Sequence, residues 1–400
     1  MIKSLVIKNF KAIRRLEIAF TPFTVLIGGN SCGKSTVLQA LDFARAFTTR
    51  DIDEYLHERG WAFDDLKSQF EKKGISIGLE LLLSINGKLQ NIYYSFVVDI
   101  CNGEFVTNEL IENRSENKIL LERNEFRPSS PGDIDRFLLK SSFLKLIDEN
   151  NPSEKFDAGL YAVKKFFARS SSYELLMPDR MREKGSRGEV KNIGMGGEKL
   201  AAYINKMSVS QRSKLNKILS DFMGYTAKTT TEMTRPGWVD LFLNESFSEV
   251  TTKIKAAHIS DGLLRLIALI AASLPENNHK QKNLLFDIPD SGFILLDEIE
   301  DGINPYLTEK VVDMLRKAVE VSGKQVIITT HSPVMLNRFQ QNEIVFMWRD
   351  GEGNIHAKPM FATEDMKDTL DCFNPGEVWL NYGKDEILAM MESARLGGLK

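Results

Sequence analysis

Eight consecutive residues carry the strongest chemical signal in this chain. Positions 28–35 read Gly28-Gly29-Asn30-Ser31-Cys32-Gly33-Lys34-Ser35, followed by Thr36. A glycine, four residues and then Gly-Lys-Ser is the spacing of a phosphate-binding loop. Its glycines let backbone N–H groups turn inward on phosphate oxygens, and a following helix adds its positive end. Lys34 would set an ammonium against the β- and γ-phosphates of ATP, and Ser35 would offer a hydroxyl to Mg²⁺. Cys32 has two readings. It is a small residue that fits, or a thiol whose pKa a nearby helix N-terminus lowers, open to alkylation.

Two apolar runs end in polar groups of the matching kind. Phe293-Ile294-Leu295-Leu296 delivers Asp297 and Glu298 to a strand tip. There Asp297 would hold the Mg²⁺ shell, while Glu298 would orient or deprotonate the attacking water. Val326-Ile327-Ile328-Thr329-Thr330 delivers His331, one of five histidines in the chain. At a strand tip beside phosphate, that imidazole can sense the γ-phosphate or stabilise developing charge. Ser260-Asp261-Gly262 stands before an apolar run. Ser260 can cap the helix there and turn its N-terminus toward an anion. Spacing alone does not separate an anion site from an ordinary capped helix.

These residues need elements to place them. Three short strands are expected over 1–27, and the apolar spacing of Val37, Leu41, Ala44 and Phe47 predicts a helix over about 34–47. Residues 74–125 alternate with period two and carry Asn86-Gly87 and Asn102-Gly103, both hairpin dipeptides, so an antiparallel meander is expected. Residues 132–225 read as mainly helical, with segments over 137–148, 161–167 and 200–223. A basic stretch at 180–188 and a glycine cluster at 194–197 interrupt them. From about 237 the α/β pattern returns. Strands are expected at 238–243, 293–296, 325–329 and 344–348, with helices at 263–274 and 306–321, and a turn at 374–379. The division that follows is 1–130 as the first part of an ATPase domain, 131–235 as a helical insertion, and 236–400 as the part that completes it.

Composition bounds the rest. The chain has 400 residues, 42% hydrophobic and 27% charged, enough for one large core or two lobes. A net charge of −3 does not advertise nucleic acid. Three widely spaced cysteines make no disulfide framework and fit a reducing cytoplasm. Lysines interrupt the apolar N-terminus, and the longest apolar stretch is short of the ~20 residues a bilayer needs, so a cytoplasmic, membrane-free protein is expected.

Taken in order, NFKAI, VLIGGNSCGKSTVLQAL, HISDGLLRL, FILLDEIEDGINP and ITTHSP resemble the ABC-type ATPases of the SMC, RecF and OLD group. The closest look is to smaller OLD-like AAA-family ATPases of bacterial defence and toxin–antitoxin operons. The resemblance implies an α/β fold, an ABC-type P-loop ATPase head carrying the meander and the helical insertion. It implies ATP and Mg²⁺ as cofactors. Ser260 and Gly262 match the ABC signature, which acts in trans on ATP held by a partner's phosphate loop. The implied state is an ATP-sandwiched homodimer or a higher oligomer. Asp301 matches the loop that crosses that interface, and Asn30 the asparagine of the phosphate loop. Ser31 stands where the loop pattern usually has glycine, and Asp261 where ABC transporters usually have glycine between the signature residues; Asp261 fits the OLD-like branch better. The glutamine loop is unassigned, with Gln39 and Gln69 as candidates.

Long OLD proteins carry a C-terminal TOPRIM nuclease. About 70 residues follow His331, fewer than the ~100 of an added domain, and they hold no metal-ligand cluster. By analogy, an effector such as a nuclease or toxin is expected on a separate chain. The leading expectation is an ATPase subunit that switches an antiphage complex. The alternatives are a RecF- or SMC-like repair ATPase and a low-turnover scaffold that holds ATP. Nucleic-acid contact rests on Arg180, Arg182, Lys184 and Arg187.

Overall fold

The computed structural model describes all residues except 72, 102–103, 125–139, 150–152, 154, 175, 187, 189, 191, 275–284 and 393–400. Its strands are β1 (Ile2–Phe10), β2 (Ile13–Ala19), β3 (Phe23–Ile27), β4 (Ile75–Ile85), β5 (Lys88–Cys101), β6 (Glu104–Asn113), β7 (Lys118–Asn124), β8 (Ser171–Tyr173), β9 (Gly185–Ser186), β10 (Thr226–Arg235), β11 (Trp238–Phe247), β12 (Val250–Lys255), β13 (Phe293–Leu296), β14 (Gln325–Thr329), β15 (Ile344–Arg349) and β16 (Ile355–Pro359). The helices that matter below are α1 (Lys34–Thr49), α2 (Ile52–Arg59), α3 (Ala158–Ala168), α4 (Pro178–Met181), α5 (Leu200–Lys206), α6 (Val209–Met223), α7 (Asp261–Ser273) and α8 (Pro305–Ser322).

The described strands form three sheets. The central one has the order β16-β15-β3-β14-β13-β8. From β15 to β8 it is parallel, with β16 antiparallel at one edge. Its inner strands β3, β13 and β14 are short, largely apolar and buried at every position, as a parallel sheet covered on both sides requires. Successive residues go to different cores: Leu295 and Ile327 to one, Ile294, Leu296, Val326 and Ile328 to the other. The second sheet is the antiparallel β2-β1-β4-β5-β6-β7. Helix α1 contributes Val37, Leu38, Leu41, Phe43 and Phe47 to the core it shares with this sheet. Each such side chain contributes about 1.5–3 kcal/mol by leaving water, so α1 is a firm mount for the loop before it. Helices α6, α7 and α8 contribute to the opposite core.

Strand β3 pairs with β14 on one side and β15 on the other, so the two ends of the chain share one sheet. Gln325, buried, locks the junction. Its amide accepts from Ile2 N–H at 2.8 Å and donates to the Ile2 and Thr21 carbonyls, each at 2.9 Å.

The expected strands over 1–27 and the meander are present, and Asn86 and Gly87 both take positive φ at the β4–β5 turn, as that hairpin type demands. The Asn102-Gly103 turn lies outside the described residues. Several expectations need correction. The segment taken as a helical insertion, 131–235, holds β8 within the central sheet, and β9 and β10 in the third sheet. Three residues, Ser171–Tyr173, are too few to show a period. The helix over 137–148 is, where described, a single 3₁₀ turn at Phe143–Leu146. The helix over 200–223 is two, because Ser208 caps α6 in a reciprocal box with Gln211. Asn374-Pro375 starts a helix, Pro375–Asn381, instead of a turn. No described helix is long and apolar enough to cross a membrane.

Candidate functional site

The tips of β3, β13, β14 and β8 converge on the start of α1. Gly28 (φ 148°) and Gly33 (φ 93°) bracket the loop in conformations that side chains resist. A Cβ on Gly28 would also strike the Met347 carbonyl oxygen on β15. Lys34 is buried and folds back on its own loop, donating to the Gly28 carbonyl at 2.9 Å and the Gly29 carbonyl at 3.2 Å. It thus holds the shape of the loop with groups that phosphate oxygens can displace.

Ser35 begins the second position of α1, and its Oγ donates to Asp297 Oδ1 at 3.2 Å. Thr329, at the tip of β14, donates to the same carboxylate oxygen, and its Oγ1 accepts the Glu298 N–H at 2.9 Å. Burial pushes the Asp297 carboxyl up, against the pull of the Thr329 and Ser35 hydroxyls. A hydroxyl and a carboxylate side by side are hard oxygen donors. They fit Mg²⁺, which takes one or two protein ligands and completes its shell with phosphate and water.

Glu298 has φ 47°, a left-handed backbone that costs a non-glycine residue roughly 1 kcal/mol. That turn lifts its side chain off the strand line. His331 Nε2 lies 3.8 Å from Glu298 Oε1, and the His331 backbone N–H donates to Glu300 at 2.5 Å. The loop after β13 closes with Asp301 N–H on the Glu298 carbonyl at 3.1 Å. Asp297, Glu298, Asp301, Arg265 and Glu174 line one cleft.

Ser260 occupies the N-cap position of α7, but its side chain caps nothing and is exposed. Asp261 bonds to Arg182 and not to the phosphate loop. Gly262 packs against the loop that carries Asp301: a Cβ there would sit 2.0 Å from the Gly302 carbonyl oxygen. Arg265, one turn on, reaches Asp301 at 3.8 Å. The structure therefore gathers 28–35, Asp297, Glu298 and His331 in one place, and joins the 260–262 segment to that place through Gly302 and Arg265.

The structure bears on two further readings. Cys32 is buried, and burial raises its thiol pKa despite Lys34 nearby, so it is not an activated thiol. The basic cluster is partly spent on internal partners. Arg182 binds Asp179 and Asp261, and Lys184 lies 3.8 Å from the buried Asp240. Arg187 lies outside the described residues.

Sequence reading missed Glu174. It follows β8, next to β13, and accepts from Arg59 at 2.7 and 2.9 Å and from Gln39 at 3.4 Å. Gln39 in turn accepts from Lys11 at 2.8 Å. Thr329 was visible only as part of the run before His331, and Arg182 only as one of several basic residues.

With this geometry in hand, comparison with known proteins is direct. A family model described as "AAA ATPase domain" matches residues 1–225, and one described as "AAA domain, putative AbiEii toxin, Type IV TA system" matches 231–337. The Escherichia coli protein "Retron Ec83 probable ATPase" is 22% identical over 84% of this chain and 70% of its own length. "Endonuclease GajA" of Bacillus cereus is 23% identical over 82% of this chain, which spans only 55% of that protein. Among solved structures, the SMC head bound to the C-winged helix domain of ScpA superposes with TM-score 0.52 at 15% identity, covering 92% of this chain and 99% of that one. The fold is that of an ABC-type P-loop ATPase head, and with more than half its length matched by one family model, the chain belongs to the AAA ATPase domain family.

Proposed function

We propose that this chain hydrolyses ATP, and that it is the nucleotide-switched subunit of a bacterial antiphage complex whose effector is a separate chain. One observation carries the catalytic half: Ser35 Oγ and Asp297 Oδ1 are 3.2 Å apart, with Glu298 the next residue along the same strand tip. Backbone N–H groups of 28–35 and Lys34 bind the phosphates. Ser35 and Asp297 would hold a Mg²⁺, which would supply positive charge to the phosphates. Glu298 accepts the proton of the attacking water, and His331 steadies charge on the γ-phosphate. Ser260 and Gly262 of one copy meet the ATP bound by a second copy. ATP closes this dimer and hydrolysis releases it. Likeness to the retron ATPase and to GajA supports the antiphage setting.

Glu298→Gln tests the reading. Removing a general base lowers turnover by about 10²–10⁴-fold, so the steady ATPase rate should fall by that much while ATP still binds and an ATP-dependent dimer accumulates. An unchanged rate would show that Glu298 is not the base. A rate at background in the parent protein would favour a scaffold that holds ATP.

A further inference from the structure

Arg182 sits in the basic stretch at 180–188, yet its guanidinium turns toward α7. One nitrogen donates to the Ile259 carbonyl at 2.9 Å and to the Asp261 carboxylate at 2.5 Å; the other donates to Asp179 at 3.1 Å. Ile259 and Asp261 are the two neighbours of Ser260. A single side chain therefore holds the backbone carbonyl on one side of that serine and the side-chain carboxylate on the other. The mount beneath it is apolar. Met181 is buried in the same core as Ile259 and Leu264, and Gly197 packs so closely on Met181 that a Cβ there would clash with it. The glycine cluster at 194–197 thus serves to seat α4, and α4 seats Arg182.

The charges explain why a guanidinium is needed. Asp261 suits the first turn of a helix, where a carboxylate meets the positive end of the dipole. It also puts a negative charge next to the position where phosphates of a second copy's ATP would arrive. An unanswered carboxylate there opposes the incoming anion. Arg182 answers it without occupying Ser260, whose hydroxyl caps nothing.

We infer that Arg182 is the positioning residue of the 259–262 segment: it neutralises Asp261 and fixes the Ile259 carbonyl, so that Ser260 and the first N–H groups of α7 are presented to ATP on a second copy of this chain. The inference rests on the sandwiched-dimer reading above. It assigns a role to the basic stretch other than nucleic-acid contact, and it gives Asp261 a partner.

The test uses the full chain in a Glu298→Gln background. ATP·Mg²⁺-dependent dimerisation is followed by sedimentation velocity, and ATP binding by the single chain with a fluorescent ATP analogue. Arg182→Ala should weaken the dimer by about tenfold or more while single-chain binding stays within about twofold, the pattern of a group that acts only across the interface. Arg182→Lys should recover part of the loss, since a lysine supplies charge without the fork that reaches two acceptors. Arg182→Ala with Asp261→Asn should recover most of it. Melting curves of all variants show whether they fold, and the lysine variant decides the matter if alanine does not. Arg182→Ala dimerising like its parent would overturn the inference alone, as would a double variant no better than the single one. A Glu298→Gln parent that stays monomeric with ATP would overturn the sandwiched dimer and this inference together.

Discussion

Two places in the molecule bury charge against α1, and they treat it in opposite ways. In the first, Arg59 on α2 bonds both Asp42 on α1 and Glu174 beyond β8, and Arg45 adds a second cation to Asp42. Arg59 lies over the rings of Tyr55 and Trp61, and Lys11, in the turn between β1 and β2, lies over Trp61. In the second, Asp297 and Glu298 stand side by side. Hydroxyls meet Asp297, and Lys34 is turned onto its own loop. The carboxyls record the difference. Burial alone would push Asp42 up, but Arg45 and Arg59 outweigh it and hold it below the usual range. Burial pushes Asp297 up and no guanidinium answers. A compensated cluster is complete as it stands. An uncompensated one is shaped for a cation it does not itself supply.

Breaking the compensated cluster should have the largest effect on stability. Arg59→Ala leaves Glu174 without its cation in a buried setting, so urea denaturation should show a loss of about 3 kcal/mol, in the range for halving a buried ion pair. A loss below about 1 kcal/mol would mean that the cluster does not hold α2 to β8.

The uncompensated site should respond with the opposite sign. Asp297→Asn removes a carboxylate whose folded pKa lies above its unfolded value, so charging it opposes folding. The nucleotide-free variant should gain on the order of 1 kcal/mol at neutral pH, and the gain should vanish as pH falls below the unfolded value near 3.8. The same variant should lose the rise in melting temperature that Mg²⁺ and ATP give the parent. A variant less stable than the parent at pH 7 would show that the strand tips are structurally satisfied after all.

The smallest effect belongs to Lys11, at the edge of the compensated cluster. Burial lowers its pKa from 10.5 to about 8. Between those values the unfolded chain holds the proton that the folded chain has lost, so stability should rise with pH there. Compared with Lys11→Met, the slope should reach at most roughly half a kcal/mol per pH unit, given its partial exposure. Parallel curves for the two proteins would place Lys11 in water.

Much of this was legible in the sequence, and the reason is local. A phosphate loop needs its glycines and lysine at fixed spacing, and an apolar strand that ends in Asp297-Glu298 or His331 states its direction and its tip. The meander announced itself through alternation and Asn86-Gly87. Glu174 was not legible, because β8 is three residues long and its parallel partner β13 lies far along the chain. Arg182 was visible as charge but not as a support, since only packing of α4 on α7 shows which way it points. Cys32 kept two readings for a related reason: proximity to a helix N-terminus could be read from the sequence, but the burial that outweighs it could not.

The position of β3 has a consequence for how the molecule is made. The strand that leads into the phosphate loop pairs only with β14 and β15, and the amide that secures this junction joins residues 323 positions apart. Contacts of such long range form late and slowly. A ribosome that has delivered β3 and α1 has therefore made a phosphate loop without a sheet to hold it. Synthesis at roughly 5–20 residues per second leaves that segment waiting many seconds for its neighbours. A nascent chain that stops short of β14 and β15 therefore lacks both strands that flank β3 in the central sheet.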